Sequence, residues 1–248
     1  MAVLWSKRIR DTHYEVRSAG ATVRLYSNGV LHSQYNPNNP ISGAIWDLLL
    51  LPGFCSEQPP KNILVLGLGG GTLVHLIRLF FPDAQITCVE IDKTHIQIAK
   101  RWFNLPKKNV RTIEGDAYGF LKSDSNTYDW IIDDVFQHVT GDPERGFPLD
   151  EAQRLYEKRL AKNGILSLNV IGRKQLIQTK KLLALSAFND GLQFSHPLYD
   201  NRIVCLMPKS ELSNSDQTKQ IKERFNQHKQ LDQSRRTCRL KYKMQWLK

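Results

Sequence analysis

The sequence lacks the features of an exported, zinc-binding or membrane-spanning protein. Its four cysteines are scattered, with no CxxC pair and no Cys/His ligand spacing, which favours buried thiols in a reducing cytoplasm and no structural zinc. The longest apolar runs, such as residues 63–68, are far shorter than the roughly 18 residues that cross a bilayer. Residues 1–5 are too few for the apolar region of a signal peptide. We therefore expect a cytoplasmic protein with no membrane segment.

Motifs of several enzyme classes are also missing. The seven histidines form no set with metal-ligand spacing, so we expect no metal. No Ser/His/Asp elbow motif is present. No Asp-Pro-Pro-Tyr type of motif follows the fourth predicted strand of the main domain, which argues against methylation of an exocyclic base amine.

The positive charge is concentrated at one end of the chain. The net charge is +11, and residues 209–248 contain eleven basic and four acidic residues, so the other 208 residues carry only +4. Basic residues interleaved with aromatic ones, as in 235–248, can bind nucleic acid. The alternative, which we favour, is a segment whose apolar residues dock on the body of the protein or on a second subunit of a homodimer.

Composition shifts and turn signals divide the chain into three parts. Residues 1–60 are predicted to form a small β element with a linker helix, 61–208 a nucleoside-binding catalytic domain, and 209–248 a basic helix and tail. Asn28-Gly29, between apolar runs at 22–27 and 30–34, is a strong hairpin signal. This element could cap a site on the main sheet or only cover the edge of that sheet.

The most informative stretch is 61–92, which reads as strand, glycine turn, helix and strand. A ligand that approaches the backbone at the turn would explain its four glycines, because a Cβ there would block the approach. They are Gly67, Gly69, Gly70 and Gly71. Glu90 ends the second strand, a position from which a carboxylate can bind the hydroxyls of a ribose.

Two further predicted strands are followed by acids, at Asp116 and at the pair Asp133-Asp134. Open α/β sheets bind ligands at the carboxyl edge, where these acids lie. The later elements alternate strand and helix and end with two strands joined by a short connection. This order is that of the Rossmann-like class I AdoMet-methyltransferase fold, an α/β fold with a mostly parallel seven-stranded sheet and an antiparallel last strand.

As a set, the motifs of residues 23–207 resemble the bacterial branch of the spermidine synthase (polyamine aminopropyltransferase) family. The segments that carry the resemblance are LGLGGGTL at 66–73, VEID at 89–92, RWFNLP at 101–106, GDA at 115–117 and DVF at 134–136. The resemblance implies a cofactor site in which Glu90 holds the ribose, Asp116 and Ala117 face the adenine, and the glycine loop lies along the sulfonium side. Ile91 is assigned to the same cofactor site. Asp134 matches the catalytic aspartate, which accepts a proton from the attacking amine.

The sequence also departs from that family. Spermidine synthases have an acid at the position of Gly70, which holds the ammonium of decarboxylated AdoMet, and a second acid where this chain has Gln137. The family's tyrosine-glutamine pair is not visible in 41–47. These changes are compatible with intact AdoMet, whose carboxylate would bind bare N–H groups of the glycine loop, with another amine, or with lost activity. We assign Gln137 and Gln34 to the acceptor substrate.

The sequence therefore predicts a transferase that uses AdoMet or decarboxylated AdoMet. The leading hypothesis is transfer of an aminopropyl group to a small amine, as in polyamine synthesis, with Asp134 as the proton acceptor. The first alternative is methyl transfer to a small molecule. The second is a nucleoside-binding homologue without catalytic activity.

Overall fold

The fold consists of a small antiparallel sheet followed by a large α/β sheet. The computed structural model describes residues 1–139, 142–185, 188 and 190–247, with the backbone alone at 137–139, 142–144 and 182–185. None of the helices in these ranges is both long enough and apolar enough to cross a membrane.

The first 35 residues form the small sheet, in which four strands pair in chain order. The strands are β1 (Ala2–Ile9), β2 (Thr12–Ala19), β3 (Thr22–Ser27) and β4 (Val30–Tyr35). Asn28 and Gly29 join β3 to β4 with φ of 49° and 79°, the left-handed conformation that a two-residue hairpin turn requires. The predicted hairpin is present, and two more strands precede it.

A short helical linker joins the two sheets. It consists of α1 (Ile45–Leu50) and a 3₁₀ helix (Leu51–Phe54). The α-helix ends just before Pro52-Gly53, and the chain continues as a 3₁₀ turn in which Cys55 N donates to Pro52 O at 2.8 Å. Trp130 and Phe81 pack so closely on Gly53 that a Cβ there would lie 2.5 Å from the Trp130 ring.

The large sheet has eight strands, and a separate hairpin follows the fourth of them in chain order. The ten strands are β5 (Asn62–Leu66), β6 (Gln85–Glu90), β7 (Val110–Glu114), β8 (Tyr128–Asp133), β9 (Phe136–Val139), β10 (Asp142–Arg145), β11 (Leu160–Ile171), β12 (Asp190–Ser195), β13 (Asn201–Met207) and β14 (Lys243–Trp246). Strands β9 and β10 form the separate hairpin.

The strand order of the large sheet is β14-β12-β13-β11-β8-β5-β6-β7. Strands β11, β8, β5, β6 and β7 pair in parallel, whereas β13 is antiparallel to both of its neighbours. This confirms the predicted fold class. The sheet has one strand more than predicted, because the tail contributes β14.

Helices cover both faces of the large sheet. Those after the linker are α2 (Thr72–Phe80), α3 (Lys93–Trp102), α4 (Ala117–Ser123), α5 (Leu149–Arg159), α6 (Gly172–Leu185) and α7 (Asn214–Asn226). Alternate residues of β5 pack into the hydrophobic cores on opposite faces of the sheet, because successive side chains of a strand point to opposite faces. Ile63 and Val65 pack on the side of α1, α2 and α7, and Leu64 and Leu66 pack on the side of α4 and α5.

The basic tail is docked on the body. Leu231, Cys238 and Leu240 are buried in the same core as Phe225 of α7. Strand β14 pairs with β12, and Nε1 of Trp246 donates to Oγ1 of Thr218 at 2.9 Å. The apolar residues of the tail therefore complete the core and extend the sheet.

We expect Leu240→Ala to lower the free energy of unfolding by about 2–4 kcal/mol, because it leaves a cavity in a closed core. Urea denaturation measures this change. The matched control is Leu212→Ala, since Leu212 is 39% exposed, and it is expected to change stability by less than about 0.5 kcal/mol. Equal effects of the two substitutions would contradict the docked tail.

Candidate active site at the carboxyl edge of the sheet

The glycine turn lies between the two acids that end the neighbouring strands. Leu66 pairs with Val89 on one side and with Asp133 on the other, so Gly67 follows between Glu90 and Asp134. Gly67 has φ of 88°, and a Cβ on it would lie 2.6 Å from the backbone oxygen of Asp134. Only glycine fits at this position.

Glu90 holds the turn through its carboxylate. Oε2 accepts hydrogen bonds from the N–H groups of Leu68 and Gly69, both at 2.9 Å, and Oε1 accepts one from Asp92 N at 2.9 Å. Burial alone would raise the pKa of Glu90, but His95 and the backbone donors lower the pKa to about 2. Glu90 is therefore ionised at neutral pH, although only 8% of it is exposed.

The same acid is connected to the small sheet. His95 lies with Nδ1 3.8 Å from Glu90 Oε2, and its Nε2 is 2.9 Å from Oγ of Ser27 in β3. Tyr14 of β2 donates to Asp92 Oδ2 at 2.7 Å. Burial acts to lower the pKa of His95, but Glu90 and Asp92 raise it overall. The small sheet thus contributes two residues to the surroundings of Glu90.

Strand β4 lies on the glycine turn and so caps the site, the first of the two placements predicted for this element. Ser33 Oγ accepts a hydrogen bond from Gly70 N at 2.6 Å, and Thr72 Oγ1 donates to Gln34 O at 3.1 Å. The rings of Tyr35 and His75 stack with centroids 4.1 Å apart.

The expectation of bare N–H groups in the glycine turn is wrong. Gly69 N donates to Glu90, Gly70 N donates to Ser33, and Gly71 N donates to Leu68 O at 2.9 Å. The turn bends back on itself and is covered by β4, so protein acceptors take the donors that a carboxylate would need. Sequence could not reveal this, because Ser33 is 37 residues from Gly70.

Close packing around Gly70 explains why no acid stands at this position. A Cβ on Gly70 would lie 2.7 Å from Ser33 Cβ and 2.8 Å from the ring of Phe103. Side-chain carbon atoms essentially never approach so closely in folded proteins. The close packing of β4 and Phe103 therefore requires glycine at this position.

Asp134 follows β8 beside Gly67, and its N–H donates to Leu66 O at 2.9 Å. Its Oδ1 accepts a hydrogen bond from Nδ2 of Asn169 at 2.7 Å. Burial raises the pKa of Asp134 to about 7, with a further upward contribution from Asp133, while Asn169 acts to lower it. A carboxylate with this pKa can exchange a proton near neutral pH.

Asp133 points away from Asp134, as the alternation of side chains along a strand predicts. It is fully buried and accepts hydrogen bonds from Arg145 and from the hydroxyl of Tyr156. Arg145 also donates to the backbone oxygen of Asn169 at 2.8 Å. Asp133 therefore joins β8, β10, β11 and α5 behind the site.

The residues predicted to contact adenine and ribose lie next to Glu90. Gly115 N donates to Glu90 O at 3.0 Å, so the next two residues, Asp116 and Ala117, lie close to that acid. Asp116 caps α4 through Oδ2, which accepts from Gly119 N at 2.6 Å, while no hydrogen bond from the described part of the chain reaches Oδ1. Ile91 is 62% exposed at the same edge. An exposed apolar side chain at this position fits the prediction that Ile91 contacts the cofactor, which stays a prediction.

The two glutamines assigned to the acceptor substrate are less well defined. Oε1 of Gln34 accepts a hydrogen bond from Arg24 Nε at 2.6 Å across the β3–β4 pair. The backbone of Gln137 lies in β9, and its side chain is outside the described residues. Both assignments stay predictions.

Several residues around the site were missed in the sequence. They are Ser33, His95, Arg145, Tyr156, Asn169 and Asn201. Asn169 had a detectable signal, because it is a polar residue near the end of the otherwise buried run of β11. The others are recognised only when separate elements meet.

Two further observations concern metal binding and a cavity away from this edge. Within the described ranges, no group of three His, Cys, Asp or Glu residues could hold a metal ion. A cavity of about 730 Å³ opens at the opposite end of the strands, where Lys61, Asp129 and Lys162 contribute to its wall. It is remote from Glu90 and Asp134.

Known proteins resemble this chain in sequence. Residues 48–215 match the family model described as the spermine/spermidine synthase domain. A polyamine aminopropyltransferase from Vibrio vulnificus is 29% identical over 182 residues, which are 69% of this chain and 58% of that protein. An eEF1A lysine and N-terminal methyltransferase from Mus musculus is 29% identical over 142 residues, 52% of this chain and 20% of that protein. The chain thus spans less than two thirds of either relative.

Similar solved structures extend the likeness to most of the fold. A probable spermidine synthase from Corynebacterium glutamicum superimposes with a TM-score of 0.71 at 20% identity. The superposition covers 91% of this chain and 87% of that one. The likeness therefore extends over most of the fold.

We expect Glu90→Gln to destabilise the fold by about 2 kcal/mol or more, because an amide cannot replace the carboxylate as acceptor for three N–H groups. Because the pKa of Glu90 is lowered from 4.5 to about 2, its ionised carboxylate stabilises the fold above about pH 4.5. This stabilisation is lost as the pH falls toward 2. The variant should lose that part of the acid dependence.

Urea denaturation between pH 2 and 7 tests the Glu90 prediction, together with calorimetric titration with methylthioadenosine, whose affinity should fall at least about tenfold. The matched control is Glu114→Gln, because Glu114 pairs with Glu90 in β7 and its side chain is 53% exposed. Unchanged stability and affinity in Glu90→Gln would contradict the assignment.

We expect Gly70→Ala to lower the free energy of unfolding by about 1–3 kcal/mol, because the added methyl group overlaps Ser33 and Phe103. Gly115→Ala is the control, since a Cβ on Gly115 meets nothing within 4 Å. Its expected change is less than about 0.5 kcal/mol. Thermal or urea denaturation decides, and equal stabilities would rule out the close approach of β4.

Proposed function

The chain belongs to the spermine/spermidine synthase family, and from this membership we propose that it transfers an aminopropyl group from decarboxylated AdoMet to a small amine. Asp134 is the proton acceptor in this proposal. The curated aminopropyltransferase that resembles the chain supports the reaction, although the alignment covers 58% of that protein.

The observation that carries the proposal is the state of Asp134. Its carboxylate ends β8 beside the glycine turn, Asn169 engages Oδ1, and partial burial raises its pKa to about 7. The amine must lose a proton as it attacks, and Oδ2, to which none of the described residues donates, can accept it. The new N–C bond forms as the C–S bond breaks, and methylthioadenosine leaves with the electron pair on sulfur.

The nucleoside would be held by the residues around Glu90. Oε1 of Glu90 accepts one N–H and has capacity for another donor, such as a ribose hydroxyl. Ile91, Ala117 and the free oxygen of Asp116 form the adenine side of the proposed site. The sulfonium donor supplies an activated carbon, and these side chains fix its nucleoside end.

The acceptor would bind as a cation before it loses its proton. The ionised carboxylate of Glu90 and that of Asp134 give this edge of the sheet a negative field, which favours an ammonium group. Gln34 and Gln137 remain our proposal for residues that contact the acceptor.

Methyl transfer from intact AdoMet is less well supported. Internal acceptors take the N–H groups of Gly69, Gly70 and Gly71, which removes the donors that a substrate carboxylate would use. The alignment with the methyltransferase from Mus musculus covers only 20% of that protein. The occupied N–H groups favour a donor without the carboxylate.

We expect Asp134→Asn to lower kcat by about 10²–10⁴-fold, since an amide cannot accept the proton. Affinity for methylthioadenosine should stay within about twofold in calorimetry. In the unsubstituted protein, kcat/KM should rise with pH through about 7, because only the deprotonated carboxylate is active and the pKa of Asp134 is about 7.

The matched control is Asp83→Asn, since Asp83 is exposed in the loop between α2 and β6. It should leave the rate and the pH profile unchanged. Normal turnover of Asp134→Asn with decarboxylated AdoMet and a diamine would refute the base assignment. Binding of AdoMet in preference to decarboxylated AdoMet would refute the donor assignment.

A further inference from the structure

Asn169 is a buried polar residue between two apolar residues of β11. It lies in β11 between Leu168 and Val170, which are fully buried, and is itself only 5% exposed. Burying an amide is costly unless its polar atoms find partners. The contacts of Asn169 therefore indicate why an amide stands at this position.

The polar side-chain atoms of Asn169 are both engaged at the carboxyl edge. Nδ2 donates to Asp134 Oδ1 at 2.7 Å, and Oδ1 accepts from Nδ2 of Asn201 at 2.9 Å. Its backbone oxygen accepts from Arg145 at 2.8 Å. The three contacts tie Asn169 to the end of β8, to the start of β13 and to β10.

The strand register produces this arrangement. Leu168 pairs with Asp133 in the parallel β11–β8 pair, so the next residues, Asn169 and Asp134, are neighbours on one face. Asn201 pairs with Ile171 in the antiparallel β11–β13 pair, two residues from Asn169 and hence on the same face. Three adjacent strands thus supply one polar row.

We propose that Asn169, oriented by Asn201, is a positioning residue that fixes one oxygen of Asp134 and directs the other toward the attacking amine. The inference rests on the proposed function, because it takes Asp134 as the proton acceptor. An asparagine amide has one end that donates and one that accepts. Since Asn201 donates to the oxygen of Asn169, the NH₂ group is the end that faces Asp134.

The direction of this contact has a chemical consequence. A hydrogen bond donated to a carboxylate favours its charged form, so Asn169 opposes the effect of burial on Asp134. The other charged groups that act on Asp134 are Asp133 and Glu90, which favour the protonated form, and Arg145, which favours the ionised form. Unlike these three residues, Asn169 is neutral.

The decisive experiment is the pH dependence of kcat/KM for Asn169→Ala. Without the donated hydrogen bond, the rising limb should move to higher pH by about one to two units. The rate at pH 7 should fall and recover at alkaline pH, while KM for the nucleoside donor stays unchanged. A purely structural role would lower the rate equally at all pH values.

Asn201 provides a second, graded test. Asn201→Ala should shift the limb in the same direction by a smaller amount, because Asn169 keeps its amide but loses the partner that orients it. In the Asn169→Ala background, Asn201→Ala should add no further shift. Asn62→Ala is the matched control, since Asn62 is exposed at the opposite end of β5 and should leave the profile unchanged.

A direct titration separates this inference from the function on which it rests. The carboxyl carbon of Asp134 can be followed by NMR in the unliganded protein, with and without Asn169→Ala. If Asp134→Asn abolishes turnover but Asn169→Ala moves neither the NMR titration nor the rate limb, the positioning role is wrong and the proposed function stands. If Asp134→Asn turns over normally, both are overturned.

Discussion

The structure of the site depends on one buried carboxylate that stays ionised. Glu90 accepts the N–H groups of Leu68 and Gly69 and thereby closes the glycine turn onto the end of β6. A buried charge is tolerated only with charged or hydrogen-bonding partners, and these come from His95 and from the backbone. His95 also contacts Ser27, so the small sheet is linked to that carboxylate through one side chain.

Two acids at the same edge of the sheet have opposite properties because their surroundings differ. Backbone donors and His95 surround Glu90 and lower its pKa to about 2, whereas Asp134 has Asn169 as a neutral donor and Asp133 as a neighbouring carboxylate, and its pKa is raised to about 7. Acids whose environments separate their pKa values take different tasks. The first is suited to hold structure and ligand, and the second to accept a proton.

Local patterns were sufficient to predict the alternating strands and helices of the large sheet and the acids at its strand ends. They also located the Asn28-Gly29 turn. They missed β1 and β2. Most residues of β1 are exposed on both faces and show no alternation. They missed β14 and the contact between Ser33 and Gly70, since each forms only when distant segments dock. The roles of the site residues therefore depended on resemblance more than on pattern.

The glycine at position 70 and the serine at position 33 are parts of one structural feature. An acid at position 70 and a β4 strand packed on the turn exclude each other, because a Cβ on Gly70 would overlap Ser33. The chain has the packed strand, whose Ser33 hydroxyl also takes the Gly70 N–H. Protein acceptors therefore take the N–H groups of the turn, and under the proposed function the charged end of the donor is recognised outside it.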